Sequence, residues 1–385
     1  MLENAFTGSK RYYLLLAVLG GMIAVGFVVY LYQLSFGLGI TGLGRDVSWG
    51  FYIAQLTYLV GVAASAVMVV LPYYLHDYKA FGRITILGEF VAVPAVLMCL
   101  MFVIVDLGRP DRLANIIKYP TPNSVLFWDM IVLNVYLLLN IVIGWVVLES
   151  ERNEVKPPSW VKPLILLSIP WAPSIHTVTA FLYSGLPGRG YWLTAIMAPR
   201  FLSSAFAAGP SLLILLALLV RKYSKFDPGR EQIQSLAKIV TYAILINVFF
   251  FFCEVFTVFY SQIPHEMIHF QYLFQGIGDK GRLVPWMWFA LTGMTVAALL
   301  IVSPKIRENE TTLAMVCGLI IVTTYIDKGL GLMTGGFVPN PMERVVEYWP
   351  TVPEFFISLG VYSIGALILT LLYKVAISVK EEIRA

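Results

Sequence analysis

The stretch YYLLLAVLGGMIAVGFVVYLYQLSF, residues 12–36, decides the fold class. It carries no charge and follows Lys10 and Arg11. As a helix rising about 1.5 Å per residue it is long enough to cross the roughly 30 Å hydrocarbon core of a bilayer. It is too long for a signal-peptide core and has no convincing small-x-small cleavage pattern, so it reads as a retained first span. Comparable runs continue along the chain. The expected spans are roughly 12–36, 50–75, 84–107, 123–148, 161–184, 200–221, 233–261, 283–303, 312–332 and 354–377, and no gap between them holds a soluble domain. With 58% hydrophobic and 13% charged residues in 385, the composition lies well outside that of soluble proteins.

The basic residues set the expected topology. With the N-terminus in the cytoplasm, seventeen Lys and Arg fall on the cytoplasmic side and ten on the other, so the positive-inside rule places both termini in the cytoplasm of a multi-pass inner-membrane protein. Spans two to five and six to nine each form two hairpins. The expected fold is therefore all-α and integral to the membrane, a single polytopic domain of ten transmembrane helices. A first four-helix bundle covers about 50–184 and a second about 200–332, with flanking helices at about 12–36 and 354–377. Asp106 and Glu254 lie near the outer ends of spans three and seven, an echo consistent with a repeat. The net charge of +4 is spread along loops rather than gathered into a basic stripe, which argues against nucleic acid as a partner and leaves membrane lipid as the surroundings.

Several chemistries are weakened by what the residues lack. Cys99, Cys253 and Cys317 are far apart within apolar runs and form no C-x-x-C, which speaks against an iron–sulfur cluster in this chain. Of four histidines, His76 is in an inner loop, His265 and His269 are at the outer edge, and only His176 is within a span, so a bis-His haem is not expected. "PHEMIH", Pro264–His269, spells the H-E-x-x-H of zinc hydrolases, and Pro264 permits a helix to start there. Asp279 and Asp327 are each followed by Lys, a poor setting for a third ligand, so an interfacial turn is expected in place of a zinc site. An intramembrane zinc protease is the weaker alternative. A secondary transporter is the stronger one, suggested by Asp327 and Lys328 beside the Gly-rich GLGLMTGG, Gly329–Gly336.

Ionisable groups inside spans are costly and mark function. His176 lies in SIPWAPSIHTVTAFLYSG, Ser168–Gly185, after Pro170 and Pro173, a pair expected to kink the helix and free carbonyls. At similar depth stand Asp106, Trp128, Asp129, Trp49, Tyr52, Gln55 and Arg200, expected to converge on one outer cleft with Arg109 and Arg112 at its rim. Such a cleft suits a quinone. Its ring stacks on Trp49, Tyr52 or Trp128, its carbonyls accept from His and Arg, and its two-proton chemistry needs an acid/base near neutral pH, with His176 the expected exchanger and Asp106 or Asp129 its partner. Glu89, Asn134, Asn140 and Glu254 extend a possible proton path.

The strings GRDVSWGFYIAQLTYLVGVAASAVMVVLPYY (Gly44–Tyr74), VDLGRPDR (Val105–Arg112), PTPNSVLFWDM (Pro120–Met130) and SIHTVTAFLYSGLPGRGYWLTAIMAPRFLSSAFAAGP (Ser174–Pro210) resemble the NrfD/PsrC family of quinone-interacting membrane subunits. Within it they look most like the ten-helix DsrP type of DsrMKJOP complexes. The resemblance covers nearly the whole chain. It implies a subunit without haem, iron–sulfur cluster or zinc that binds a menaquinone-type quinone near the outer face and takes part in sulfur-linked anaerobic respiration. Implied partners are a DsrO-like extracytoplasmic iron–sulfur subunit, a DsrJ-like multihaem cytochrome, a DsrM-like haem b subunit and a DsrK-like cytoplasmic iron–sulfur subunit. It also implies quinone contacts at the outer ends of the first bundle, the segments holding Trp49, Tyr52, Gln55, Asp106, Arg109, Asp129 and His176.

Overall fold

A computed structural model of the chain describes residues 2–75, 81–82 and 84–382; His76, Lys79, Arg83 and Arg384, used in the histidine and charge readings above, lie outside them. The ten expected spans are present as long apolar helices. They are α1 (Lys10–Phe36), α2 (Phe51–Tyr73), α3 (Thr85–Asp106), α4 (Val125–Arg152), α5 (Val161–Ser184), α6 (Met197–Tyr223), α7 (Arg230–Tyr260), α8 (Val284–Val302), α9 (Glu310–Phe337) and α10 (Val352–Glu382). Local signals set several ends. Ser9 caps α1 by accepting from the Tyr12 amide, and Asn309 caps α9 by accepting from Thr311 and Thr312. α5 is helical through both Pro170 and Pro173.

Two helices depart from regular geometry. α2 tightens into a 3₁₀ turn at Ala64–Ala66, and α9 widens into a π turn at Ile326–Gly331. Such insertions re-aim side chains and recur at functional sites. Here the π turn buries both Asp327 and Lys328.

Helices α2 to α5 pack in sequence, with α5 returning to α2, and α6 to α9 close in the same way through α9 on α6. α10 lies against α3 and α1. α1 is peripheral, with 11% of its apolar window buried against 94% for α2. Lipid tails are as apolar as a protein core, so close backbone approach, rather than the hydrophobic effect, holds such helices together. Gly26 and Gly360 allow it between α1 and α10, where a Cβ on Gly26 would stand 2.6 Å from Gly360 Cα. Between the bundles, Gly61 of α2 leaves room for the Lys328 ammonium, 3.4 Å from where its Cβ would be.

The face opposite the termini, here called outer, is closed by loops and a short helix, Pro264–Phe274. Buried Glu354 at the start of α10 accepts from the Gly42 amide (2.8 Å), the Thr351 amide (2.8 Å) and Tyr348 OH (2.5 Å). Tyr348 OH in turn accepts from the Phe51 amide (2.7 Å), which ties α10 to the first turn of α2.

Candidate functional site

A groove of about 530 Å³ is walled by α2, α3, α9 and α10. α10 packs on α3 and α1 but not closely on α9, which leaves the space between them. It follows α10 from Phe355 to Leu369, roughly 21 Å at the helical rise. Its walls are apolar except near Gln55, where the side chains form a hydroxyl-rich end. Tyr362 OH donates to Gln55 Oε1 (2.7 Å), and Gln55 Nε2 donates to Tyr325 OH (2.6 Å). Tyr325 thus accepts with its oxygen and keeps its own proton for another acceptor. Tyr58 OH and Ser358 Oγ, also on the wall, are buried without a hydrogen bond. Buried polar atoms are rarely left so, and they are the natural partners of a bound molecule.

Beside the groove's outer end lies a second polar group. Tyr52 OH donates to Gln33 Oε1 (2.7 Å), and Gln33 Nε2 donates to Val105 O (2.7 Å), next to Asp106. Asp106 Oδ1 is buried and unpartnered. Glu354 adjoins Phe355 and Tyr52 adjoins Phe51, and both phenylalanines line the groove.

The residues expected to converge are in fact shared among several places. Gln55 lines the groove, with Tyr52 and Asp106 at its shoulder. Trp49 belongs to an aromatic cluster with Tyr183, Trp192 and Phe337, at ring separations of 5.9, 6.1 and 6.0 Å. Asp129 is buried and accepts from Thr179 (2.6 Å). His176 is completely buried on α5, which does not wall the groove, and neither ring nitrogen has a partner. Trp128 is 48% exposed and donates to Pro122 O (2.8 Å). Arg109 is exposed and binds Asp111 through two hydrogen bonds of 2.9 Å; that contact holds the Asp111 carboxyl below the usual carboxylate range. Arg112 is exposed in the adjoining 3₁₀ turn. Asn134 bonds its own helix at Met130 O (2.8 Å). Glu89 is buried with Oε2 unpartnered.

Arg200 and Glu254 sit in the second bundle. Arg200 donates to Glu254 Oε2 (2.5 Å) and to both oxygens of Asp327 (2.9 and 3.0 Å), all three side chains at least nine-tenths buried. Lys328, the neighbour of Asp327, donates to Phe201 O (3.3 Å) and lies over the Phe201 ring.

Sequence reasoning missed Tyr58, Tyr325, Ser358, Tyr362, Glu354 and Gln33. A faint signal existed, since Tyr58 follows Gln55 by three residues and Tyr362 follows Ser358 by four, so each pair shares a helix face. The PHEMIH segment does begin a helix. His269 turns inward against Val338 O (3.2 Å) and Tyr191, and burial pushes its imidazole down to about 4. Among the described residues no group of three His, Cys, Asp or Glu is arranged to hold a metal ion.

Residues 39–340 match the family model described as polysulphide reductase, NrfD. The chain is 26% identical to a Halobacterium salinarum protein whose name describes a putative membrane subunit of dimethyl sulfoxide reductase, over 92% of this chain and 88% of that protein. It is 23% identical to the Hdr-like menaquinol oxidoreductase integral membrane subunit of Archaeoglobus fulgidus, over 77% and 72%. It is 21% identical to the menaquinone reductase integral membrane subunit of Nitratidesulfovibrio vulgaris, over 89% and 85%.

Proposed function

Since this multi-pass integral membrane chain belongs to the NrfD family, we propose that it is the quinone-exchanging membrane subunit of a respiratory oxidoreductase complex. The groove is the observation that carries this reading. Its volume of about 530 Å³ falls in the range of roughly 300–1,000 Å³ typical of small-molecule sites. The long apolar part suits an isoprenoid tail, and the end at Gln55 suits a ring carbonyl. The names of the Archaeoglobus and Nitratidesulfovibrio relatives point to a menaquinone-type naphthoquinone.

When bound, the quinone supplies two-electron, two-proton chemistry. The residues of the chain bind and orient it. Gln55 holds Tyr362 and Tyr325 in register, so that the free Tyr325 proton is directed at a carbonyl oxygen. Asp106 at the groove's outer shoulder exchanges protons toward the outer face, while His176 on α5 and Asp129 on α4 are separate acid/base groups inside the first bundle. Trp49 orders the aromatic packing around the start of α2. Trp128, Arg109 and Arg112 present an exposed outer surface for an electron-carrying partner. A ferredoxin-like iron–sulfur subunit of the DsrO type, with DsrJ-, DsrM- and DsrK-like subunits completing a sulfur-linked complex, is the assembly to which the long sequence strings point.

The test is quinone content. Wild-type protein purified with its lipids carries about one extractable quinone per chain. Gln55→Leu removes the hub of the polar end, costing about 1.4 kcal/mol, a roughly tenfold rise in the quinone Kd measured by titration. Unchanged affinity in a Gln55→Leu, Tyr325→Phe double variant places the quinone elsewhere and removes the groove from the proposal.

A further inference from the structure

On the side of the termini, the first bundle contains a small cavity of about 10 Å³. That is close to the volume one internal water needs, provided it finds two or more polar partners. Glu89, Tyr136, Asn140 and Ser168 line it, one polar side chain from α3, two from α4 and one from α5. Glu89 is 3% exposed, and its Oε2 is buried with no hydrogen bond. Among the described residues no cation pairs with the Glu89 carboxyl. The 3₁₀ turn of α2 forms the fourth wall through Ala66, and Tyr136 OH donates to the Ala63 carbonyl just before that turn (3.3 Å). Asn140 spends its Nδ2 on Tyr136 O (2.8 Å) and Ser168 its hydroxyl hydrogen on Ile165 O (2.8 Å), so each offers an oxygen as acceptor. A water here can donate to Asn140 and Ser168 and accept from Glu89.

An unpaired carboxylate in this setting is expensive, whereas a carboxylic acid donating to a water is not. Toward the terminal face, among the described residues, stand Glu151 and Lys380, whose Oε2 and Nζ lie 2.5 Å apart between the last turns of α4 and α10. Both act electrostatically on Glu89. The Lys380 side chain is 14% exposed and that of Glu151 32% exposed, so the pair reaches from the bundle interior to water.

We propose that Glu89 is a proton-exchanging carboxylic acid that binds an internal water, loaded from the terminal face past Glu151 and Lys380. Chemically the step is proton exchange between Glu89 and water, with no change in electron count. Its use in quinone turnover rests on the function proposed above, but the site itself does not.

The test therefore needs no quinone. Infrared spectra of the purified full-length protein in H2O and D2O show a protonated-carboxyl carbonyl band that shifts on deuteration within minutes and is absent in Glu89→Gln. Asn140→Leu keeps Glu89 but removes the water acceptor, so the band moves and its exchange slows at least tenfold. Lys380→Met slows exchange while leaving the band in place; Asp106→Asn, at the opposite end of α3, leaves both the Glu89 band and its exchange unchanged. Absence of a band that depends on Glu89, or a band that stays unshifted over hours in D2O, overturns the proposal. Thermal unfolding of each variant in detergent identifies any that fail to fold, and Glu89→Asp, which keeps the acid, must then restore the band.

Discussion

The two four-helix bundles treat their buried polar groups in opposite ways. In the second, Arg200 is shared between Glu254 and Asp327, Lys328 rests on the Phe201 carbonyl, and Ser203 meets Asn247 (3.3 Å). In the first, Glu89 Oε2, Asp106 Oδ1, Tyr58 OH and both nitrogens of His176 are buried without partners. Asp106 and Glu254 show the contrast most directly, being acids near the outer ends of corresponding helices with different fates. Charges that neutralise one another hold a structure together, and polar atoms left open are where a substrate, a water or a proton can be received. On the proposed function the first bundle and the groove beside it would be the reactive half, and the second bundle the brace.

The largest expected effect tests the brace. Arg200→Met leaves Glu254 and Asp327 buried without the guanidinium they share, a loss of about 3–5 kcal/mol seen as a lower unfolding temperature in detergent and poor assembly. Neutralising all three, as Arg200→Met with Glu254→Gln and Asp327→Asn, recovers most of it. A single variant as stable as wild type would mean that the second bundle is not held by these charges, and the division of labour would fail. Next in size is His176→Ala. On the proposed function it removes an acid/base group whose ring nitrogens have no hydrogen bond among the described residues, so quinol-linked turnover falls by about 10² or more while the complex still assembles. Lost assembly would instead make His176 a packing residue and move the reactive centre wholly to the groove.

How much of this was legible in the sequence follows from the physics of spans. Ten apolar runs and their hairpin order were readable because length and charge distribution carry that information. The inward faces were not, since a lipid-facing Leu and a core Leu obey the same pattern. α10 therefore read as a flanking helix, although Ser358 and Tyr362 make it a groove wall. The contact of Gln55 with Tyr325 joins residues 270 positions apart, and no local signal reports it. Arg200 and Glu254 were noticed for their cost in a membrane, but their pairing depends on the π turn that brings Asp327 inward, a register change invisible to helical periodicity.

The comparison also sets two buried histidines against each other, and the smallest predicted effect uses the second. His269 lies under the outer surface with Nδ1 against Val338 O, and burial holds its imidazole at about 4, below the ordinary 6.5. A depressed imidazole is neutral when docked. Docking strength is therefore fully present above pH 6.5 and is lost progressively as pH falls toward 4, because the undocked state binds the proton first. At pH 5 the difference amounts to about 2 kcal/mol. Tyr191, against which His269 packs, and the helix Pro264–Phe274 should then open together. Amide hydrogen exchange, corrected for intrinsic rates, is expected to rise about twentyfold in that helix between pH 7 and 5, and to lose this dependence in His269→Gln. An equal rise throughout α5 would show that acid loosens the whole molecule rather than its outer closure. Invariant exchange in the helix would show that His269 does not fasten the second bundle's cap, leaving contacts such as that of Trp288 with the Phe274 carbonyl (2.9 Å) to hold it.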